Sequence, residues 1–241
     1  VDWEVNLNRL QAHHSSKRRD EGLSYQVSIH RADAADYGVP QRRHRVFFVG
    51  FRSDLNVGWS FPKPTHSSNA LVRAQYIDGS YWERHGLRQP QTPVRLAKRA
   101  EKLRNVDFLD TTLPWLTVRD IRQDLPDPRV VNDIPNHRFQ PGARPYPGHT
   151  GSPLDEPSKA LKAGDHGVPG GENMLRHPNG QVRYFTIRES ARIQTFPDDF
   201  VFTGSWTESM RQLGNAVPVE LARVVASSIA AKIPRQVPEK A

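Results

Sequence analysis

The stretch "YGVPQRRHRVFFVGF", residues 37–51, changes character in its middle. Arg42, Arg43, His44 and Arg45 stand in a row and run straight into apolar residues. "RVFFVGF", 45–51, is apolar on both faces, which predicts a buried strand. An arginine at the mouth of a strand sits on a rigid mount and can be aimed at a fixed target. Alternation along the extended chain puts Arg43 and Arg45 on one side and Arg42 and His44 on the other. On charge alone, a solvated basic loop ahead of a strand is the plainer reading. Upstream, "YQVSIHRAD", 25–33, alternates Tyr25, Val27 and Ile29 and predicts a second strand. Both strands are expected to belong to a parallel-type sheet. Before them the sequence predicts a helix from Trp3 to about His14 and a polar loop, "HHSSKRRDEG".

Downstream the texture changes twice, giving three zones: 1–52, 53–181 and 182–241. Fifteen of the twenty prolines lie in the middle zone, which excludes long helices and central strands there. Two short helices are expected in it. "PVRLAKRAEKLR" puts Leu96, Ala100 and Leu103 on one face. "TVRDIRQDLP" opens on Thr117 as N-cap with Asp120 three residues on, and stops at Pro126. In the last zone Thr186 and Glu189 form a capping-box pattern, Ser205 and Glu208 repeat it, and Gly214 is read as a C′ stop. Pro218 then opens a last helix with Leu221, Val225 and Ile229 in one row.

Composition narrows the function. The 241 residues carry a formal charge of +8, with 26 Arg against 8 Lys and a pI near 10.0. That favours a polyanionic partner, and arginine can grip phosphate or a guanine edge bidentately. A GC-rich genome would explain the arginine equally well. The absence of cysteine excludes disulfides, thiolate metal sites and a cysteine nucleophile within these residues. The histidines are scattered without metal spacing, so no metal is expected. No run is long and apolar enough for a membrane, and "VDWEVNLNRL" is not a signal peptide. The expectation is a soluble cytoplasmic protein.

"QRRHR", "RESARIQTFPDDF" and "QLGNAVP" together resemble the C-terminal motifs of the DNA (cytosine-5-)-methyltransferases. They look like the family's Gln-x-Arg-x-Arg, Arg-Glu-x-x-Arg-x-x-x-Phe-Pro-Asp and Gln-x-Gly-Asn-[Ser/Ala]-Val motifs, in the family order. The proline-rich zone lies where the family keeps its target recognition domain. The resemblance implies an α/β fold: the C-terminal portion of a Rossmann-like S-adenosylmethionine-dependent methyltransferase domain, interrupted by a loop-rich mixed target recognition domain. It implies that 1–52 ends the catalytic domain, 53–181 is the target recognition domain, and 182–241 returns to the catalytic domain.

The resemblance also implies roles. Arg45 matches the arginine that donates to O2 of the flipped cytosine, and Arg43 the one that supports it. Asn215 and Ala216 match positions at the S-adenosylmethionine pocket. Arg188, Glu189 and Arg192 look like structural residues at the domain junction. Residues 146–184 are the candidate DNA-facing segment, with Lys159, Lys162, Asn173, Arg176 and Arg183 as contacts. The family's Pro-Cys, Glu-Asn-Val and Phe-x-Gly-x-Gly motifs are missing from these residues. The implied partners are therefore double-stranded DNA, a catalytic N-terminal half or subunit carrying the Pro-Cys motif, and a restriction endonuclease acting on the same site. The competing expectation is a DNA-binding or regulatory module that takes no part in catalysis.

Overall fold

The computed structural model describes Val5 and residues 24–105, 111–163 and 173–233. The helix expected at Trp3–His14, the loop after it and residues 164–172 of the DNA-facing segment lie outside these. The described part is mixed α/β, with three small sheets.

β1 (Tyr25–Asp33) and β2 (His44–Arg52) form where alternation predicts strands, but they pair antiparallel, Tyr25 opposite Arg52 and Asp33 opposite His44. This corrects the parallel assignment for this pair. The ten residues between them hold only a 3-10 turn, Ala34–Tyr37, too short for a parallel crossover. The parallel pairings that do occur are two residues long. β3 (His66–Ser67) pairs with β4 (Leu113–Pro114), and β5 (Ser152–Pro153) with β6 (Met174–Arg176). β7 (Val182–Tyr184) closes the third sheet antiparallel to β6.

The two faces of the hairpin differ. Phe47 and Val49 face a core with Ala32, Tyr37 and Val39, sealed by Leu221 and Val225 of the last helix, α6 (Val219–Ala230). Phe61 joins this core, stacked on His30 at 4.0 Å. On the opposite face Val46 is 54% and Phe48 64% exposed, with Tyr25 and Val27 beside them. The expectation of a strand buried on both faces is thus corrected: among the described residues nothing covers this side. Phe48→Ser is expected to change stability by less than about 0.5 kcal/mol while reducing self-association, as measured by light scattering against concentration.

The middle zone is more helical than its prolines suggest. α1 (Ser68–Tyr76), α2 (Ser80–Arg84) and α3 (Val94–Arg104) pack Leu71, Val72, Tyr81, Trp82, Ala100 and Leu103 together. α3 matches its predicted face. The helix expected at 117–126 is only a 3-10 turn, Asp120–Arg122, although Thr117 and Asp120 do bond reciprocally. A third core joins Leu161 and Leu175 to Phe185, Ile193 and Leu213. It therefore crosses the boundary read at 181–182. α4 (Ile187–Ile193) starts on a complete Thr186–Glu189 capping box. α5 (Trp206–Asn215) starts on Ser205, whose side chain accepts from the Glu208 N–H.

Candidate active-site edge and nucleic-acid interface

Asp33 organises the cationic run. Buried at the end of β1, it accepts from the backbone N–H of Ala35 (3.3 Å) and Arg43 (3.0 Å) and from Arg42 Nε (2.6 Å). The chain is thereby turned so that burial alternates from Gln41 onward, odd residues inward and even residues outward. Arg43 and Arg45 share the inner side, as alternation requires.

Arg43 is 2% exposed. Its Nη1 donates to Leu161 O at 2.8 Å and its Nη2 to Gly214 O at 2.5 Å. Burial first, and then the like charge of Arg45, lowers this guanidinium to about 10, which leaves it charged at neutral pH. Beside it the buried Gln41 accepts from Leu161 N–H at 2.8 Å and donates to Gln194 Oε1 at 3.3 Å. Gln194 in turn donates to Leu213 O at 2.5 Å. One buried polar knot therefore ties the strand that mounts Arg45 to residue 161, to the end of α4 and to the end of α5.

Gly214 belongs to this knot in a way its sequence context hides. It lies inside α5, not at a C′ position, and the cap is Ala216 in extended conformation, which corrects the reading of a glycine stop. A Cβ here would stand 2.2 Å from Ala163 N and 2.4 Å from Lys162 C. The glycine is needed for backbone-to-backbone contact rather than for a turn.

Arg45 lies two residues beyond Arg43, about 7 Å along the strand. Its Nη1 donates to the carbonyl of His44 at 2.8 Å, and among the described residues no carboxylate pairs with it. It is a strand-mounted cation without a counter-charge among the described residues. Arg43 does not hydrogen-bond to Arg45; it holds the strand and helix ends that flank it.

Asn215 is exposed at the end of α5, and Ala216 is half-buried. Exposed Val217 and Val219 follow. An accessible amide next to apolar side chains fits one side of an adenosyl- or methionyl-bearing cofactor. A glycine-rich loop for its other polar groups is absent from the described residues, so the fit is that of a single wall.

The five DNA-contact expectations separate. Arg183 is corrected: it is 2% exposed and grips Glu189 through Nη1–Oε2 at 2.7 Å and Nη2–Oε1 at 2.5 Å. Asn173 is corrected too. It is fully buried, and its amide pairs with the backbone of Lys162, accepting at 3.1 Å and donating at 3.0 Å. Neither amide nor guanidinium is available to a base. Lys159 is half-buried with Nζ on Thr150 Oγ1 at 3.3 Å, whereas Lys162 and Arg176 are exposed. The structure brings Lys162 and Asn173 together and commits the Arg183 side chain to Glu189 instead.

Glu189 is the centre of a second buried cluster. It accepts from Arg183, from Arg122 at 2.8 Å and from Thr186 N–H at 3.0 Å. Burial pushes its carboxyl up, but the hydrogen bonds and charge of Arg183, followed by Arg122, outweigh that and hold it below the usual range. Arg188 donates to the carbonyls of Pro135, Pro197 and Phe200, and Arg192 to Asp124 and Asp198. All three side chains of this motif are taken up by protein partners. The residues that sequence reasoning passed over are Asp33, Gln41 and Gln194. None follows a helix or strand period: Asp33 bonds to the turn just after its own strand, and Gln41 and Gln194 bond to remote segments.

A family model described as "C-5 cytosine-specific DNA methylase" matches residues 11–231. Type II methyltransferase M.NgoFVII of Neisseria gonorrhoeae is 32% identical over 209 residues, covering 85% of this chain and 51% of the relative. Type II methyltransferase M.FnuDI of Fusobacterium nucleatum is 34% identical over 212 residues, covering 87% and 56%. Type II methyltransferase M.MthTI of Methanothermobacter thermautotrophicus is 28% identical over 234 residues, covering 86% and 57%. The chain spans about half the length of the curated relatives it matches.

Proposed function

This chain belongs to the C-5 cytosine-specific DNA methylases, and from that we propose that it recognises DNA and completes an active site whose nucleophile lies outside these 241 residues. Enzymes of this family use S-adenosyl-L-methionine. The observation that carries the reading is the buried knot. Residues from the three motifs, Gln41 and Arg43, Gln194, and Leu213 and Gly214, converge on one place and leave Arg45 and Asn215 at its rim.

In this reading Arg45 donates to O2 of a cytosine taken out of the stack. The base must be extruded because its reacting carbon is otherwise covered in the duplex. As a thiolate from the missing half adds at C6, negative charge moves onto the ring, and a fixed cation at O2 stabilises it. Arg43 keeps the mount rigid. Asn215 and Ala216 form one wall for S-adenosyl-L-methionine, which supplies the methyl group. Residues 53–181 would carry target recognition, with Lys159, Lys162 and Arg176 as remaining contacts. A cytosine-methylating chain of this type would suit a restriction–modification system with an endonuclease for the same site.

The test is reconstitution. The chain is combined with a catalytic half carrying Pro-Cys and Glu-Asn-Val, labelled S-adenosyl-L-methionine and DNA. Methyl transfer is expected only in the mixture, and activity of the chain alone would overturn the division of labour. Arg45→Ala is expected to lower kcat by roughly 100- to 1,000-fold while sparing duplex affinity. The missing cysteine favours one other reading, a DNA-binding module without catalysis. Under that reading no cognate half restores methylation, and Arg45→Ala leaves the biological effect intact.

A further inference from the structure

The middle zone contains a cleft of 380 Å³ between α1 and α3 on one side and β5 and β6 on the other. Arg42, Arg95, Arg99 and Arg176 line it, with Asp155 and Glu156. Its charges do not cancel. Glu156 is spent on Arg95, and Asp155 on Arg119 at 2.6 Å and the Tyr81 hydroxyl at 2.9 Å. Arg42 has its carboxylate, Asp33, behind it and lies over the Trp115 ring at 5.0 Å. Among the described residues Arg99 meets only neutral oxygens, those of Asn69 and Ser68. Arg176 is exposed, and its guanidinium has no bonding partner among the described residues. Among the described residues, two guanidinium groups therefore line the cleft without counter-charge.

We propose that this cleft seats a backbone phosphate of duplex DNA, with Arg176 and Arg99 as sequence-independent anchors. The inference rests on the DNA-recognition reading above. The free fork of Arg176 matches two phosphate oxygens, while Arg99, with Nε and Nη2 on Asn69 and Ser68, keeps Nη1 for a single contact. The Trp115 face, which could otherwise stack on a base, is already covered by Arg42. The cleft is thus equipped to hold the backbone and position the protein, leaving base reading to other residues.

The test is fluorescence anisotropy of the full chain, at nanomolar concentration, with two unrelated duplexes over a salt series. Arg176→Ala is expected to weaken both duplexes alike and to lower the slope of log K against log salt by about 0.9. Arg99→Gln should do the same. Because Arg99 also joins α3 to α1, its thermal melt is recorded alongside; Arg176→Ala removes an exposed side chain and leaves packing intact. Arg223→Ala, on the outer side of α6, should leave the slope unchanged. Unchanged slopes in Arg176→Ala and Arg99→Gln, with the wild type binding normally, would overturn the cleft alone. So would loss on only one duplex, which would indicate base reading. Saturable uptake of inorganic phosphate with no change in the DNA slopes would make it a small-anion site and also refute the proposal. Failure of the wild type to bind either duplex at low salt would remove the DNA reading and the cleft with it.

Discussion

Gly214→Ala is expected to unfold the junction of α5 with residues 161–163. The new methyl carbon would stand 2.2, 2.4 and 2.5 Å from Ala163 N, Lys162 C and Ala163 Cα. All three are backbone atoms, so no side-chain rotation relieves the overlap. Helix propensity pulls the other way, since alanine is better than glycine inside a helix by about 1 kcal/mol. Overpacking costs roughly 1–3 kcal/mol and sometimes more. Separating the two segments would also stretch Arg43 Nη2–Gly214 O and Gln194 Nε2–Leu213 O, both 2.5 Å. The steric side wins, and the urea midpoint should fall sharply. Gly214→Ser should behave alike. A midpoint at or above that of the wild type would mean that residues 162–163 do not touch α5 in solution.

Arg183→Met is the second large effect. It removes two of the four hydrogen bonds to a carboxylate that is fully buried, leaving Arg122 and Thr186 N–H. Breaking a buried ion pair from one side costs about 3–5 kcal/mol, lessened here because Arg122 remains. The same cluster sets an acid limit. Because the folded Glu189 carboxyl lies below its ordinary value, its contribution to stability is complete above the unfolded value, near 4.3, and is lost as pH falls toward the folded one. Glu189→Gln should be less stable than the wild type at neutral pH and should lose less between pH 5 and pH 3. Urea unfolding at both pH values, followed by circular dichroism, measures this. Parallel losses in wild type and variant would place the acid sensitivity elsewhere.

The sequence made local order legible and left long-range order hidden. β1 and β2 were readable because Tyr25, Val27 and Ile29 alternate and because an apolar run follows Arg45. α3 was readable from Leu96, Ala100 and Leu103, and α4 from the Thr186–Glu189 box. Those signals span a few residues each. α1 was missed because the prolines around it dominate the local reading, although Ser67 caps it by accepting from Ala70 N–H. The site divided in the same way. Arg45 and Asn215 could be nominated by motif. Arg183 and Asn173 looked like surface polar residues, because nothing local announces a buried Glu189 or the Lys162 backbone as their partner. Gly214 looked like punctuation because a glycine near a helix end usually is.

The polar knot also bears on how the chain is made. Arg43 and its acceptor at Gly214 are 171 residues apart, and Gln41 and Gln194 are 153 apart. On a ribosome adding about 5–20 residues per second, Arg43 would wait on the order of ten to thirty seconds for that carbonyl to be synthesised. During that interval its guanidinium has no buried place to go and the hairpin carries an open apolar side. The early part of the nascent chain therefore keeps these groups unburied until α5 and α6 have emerged.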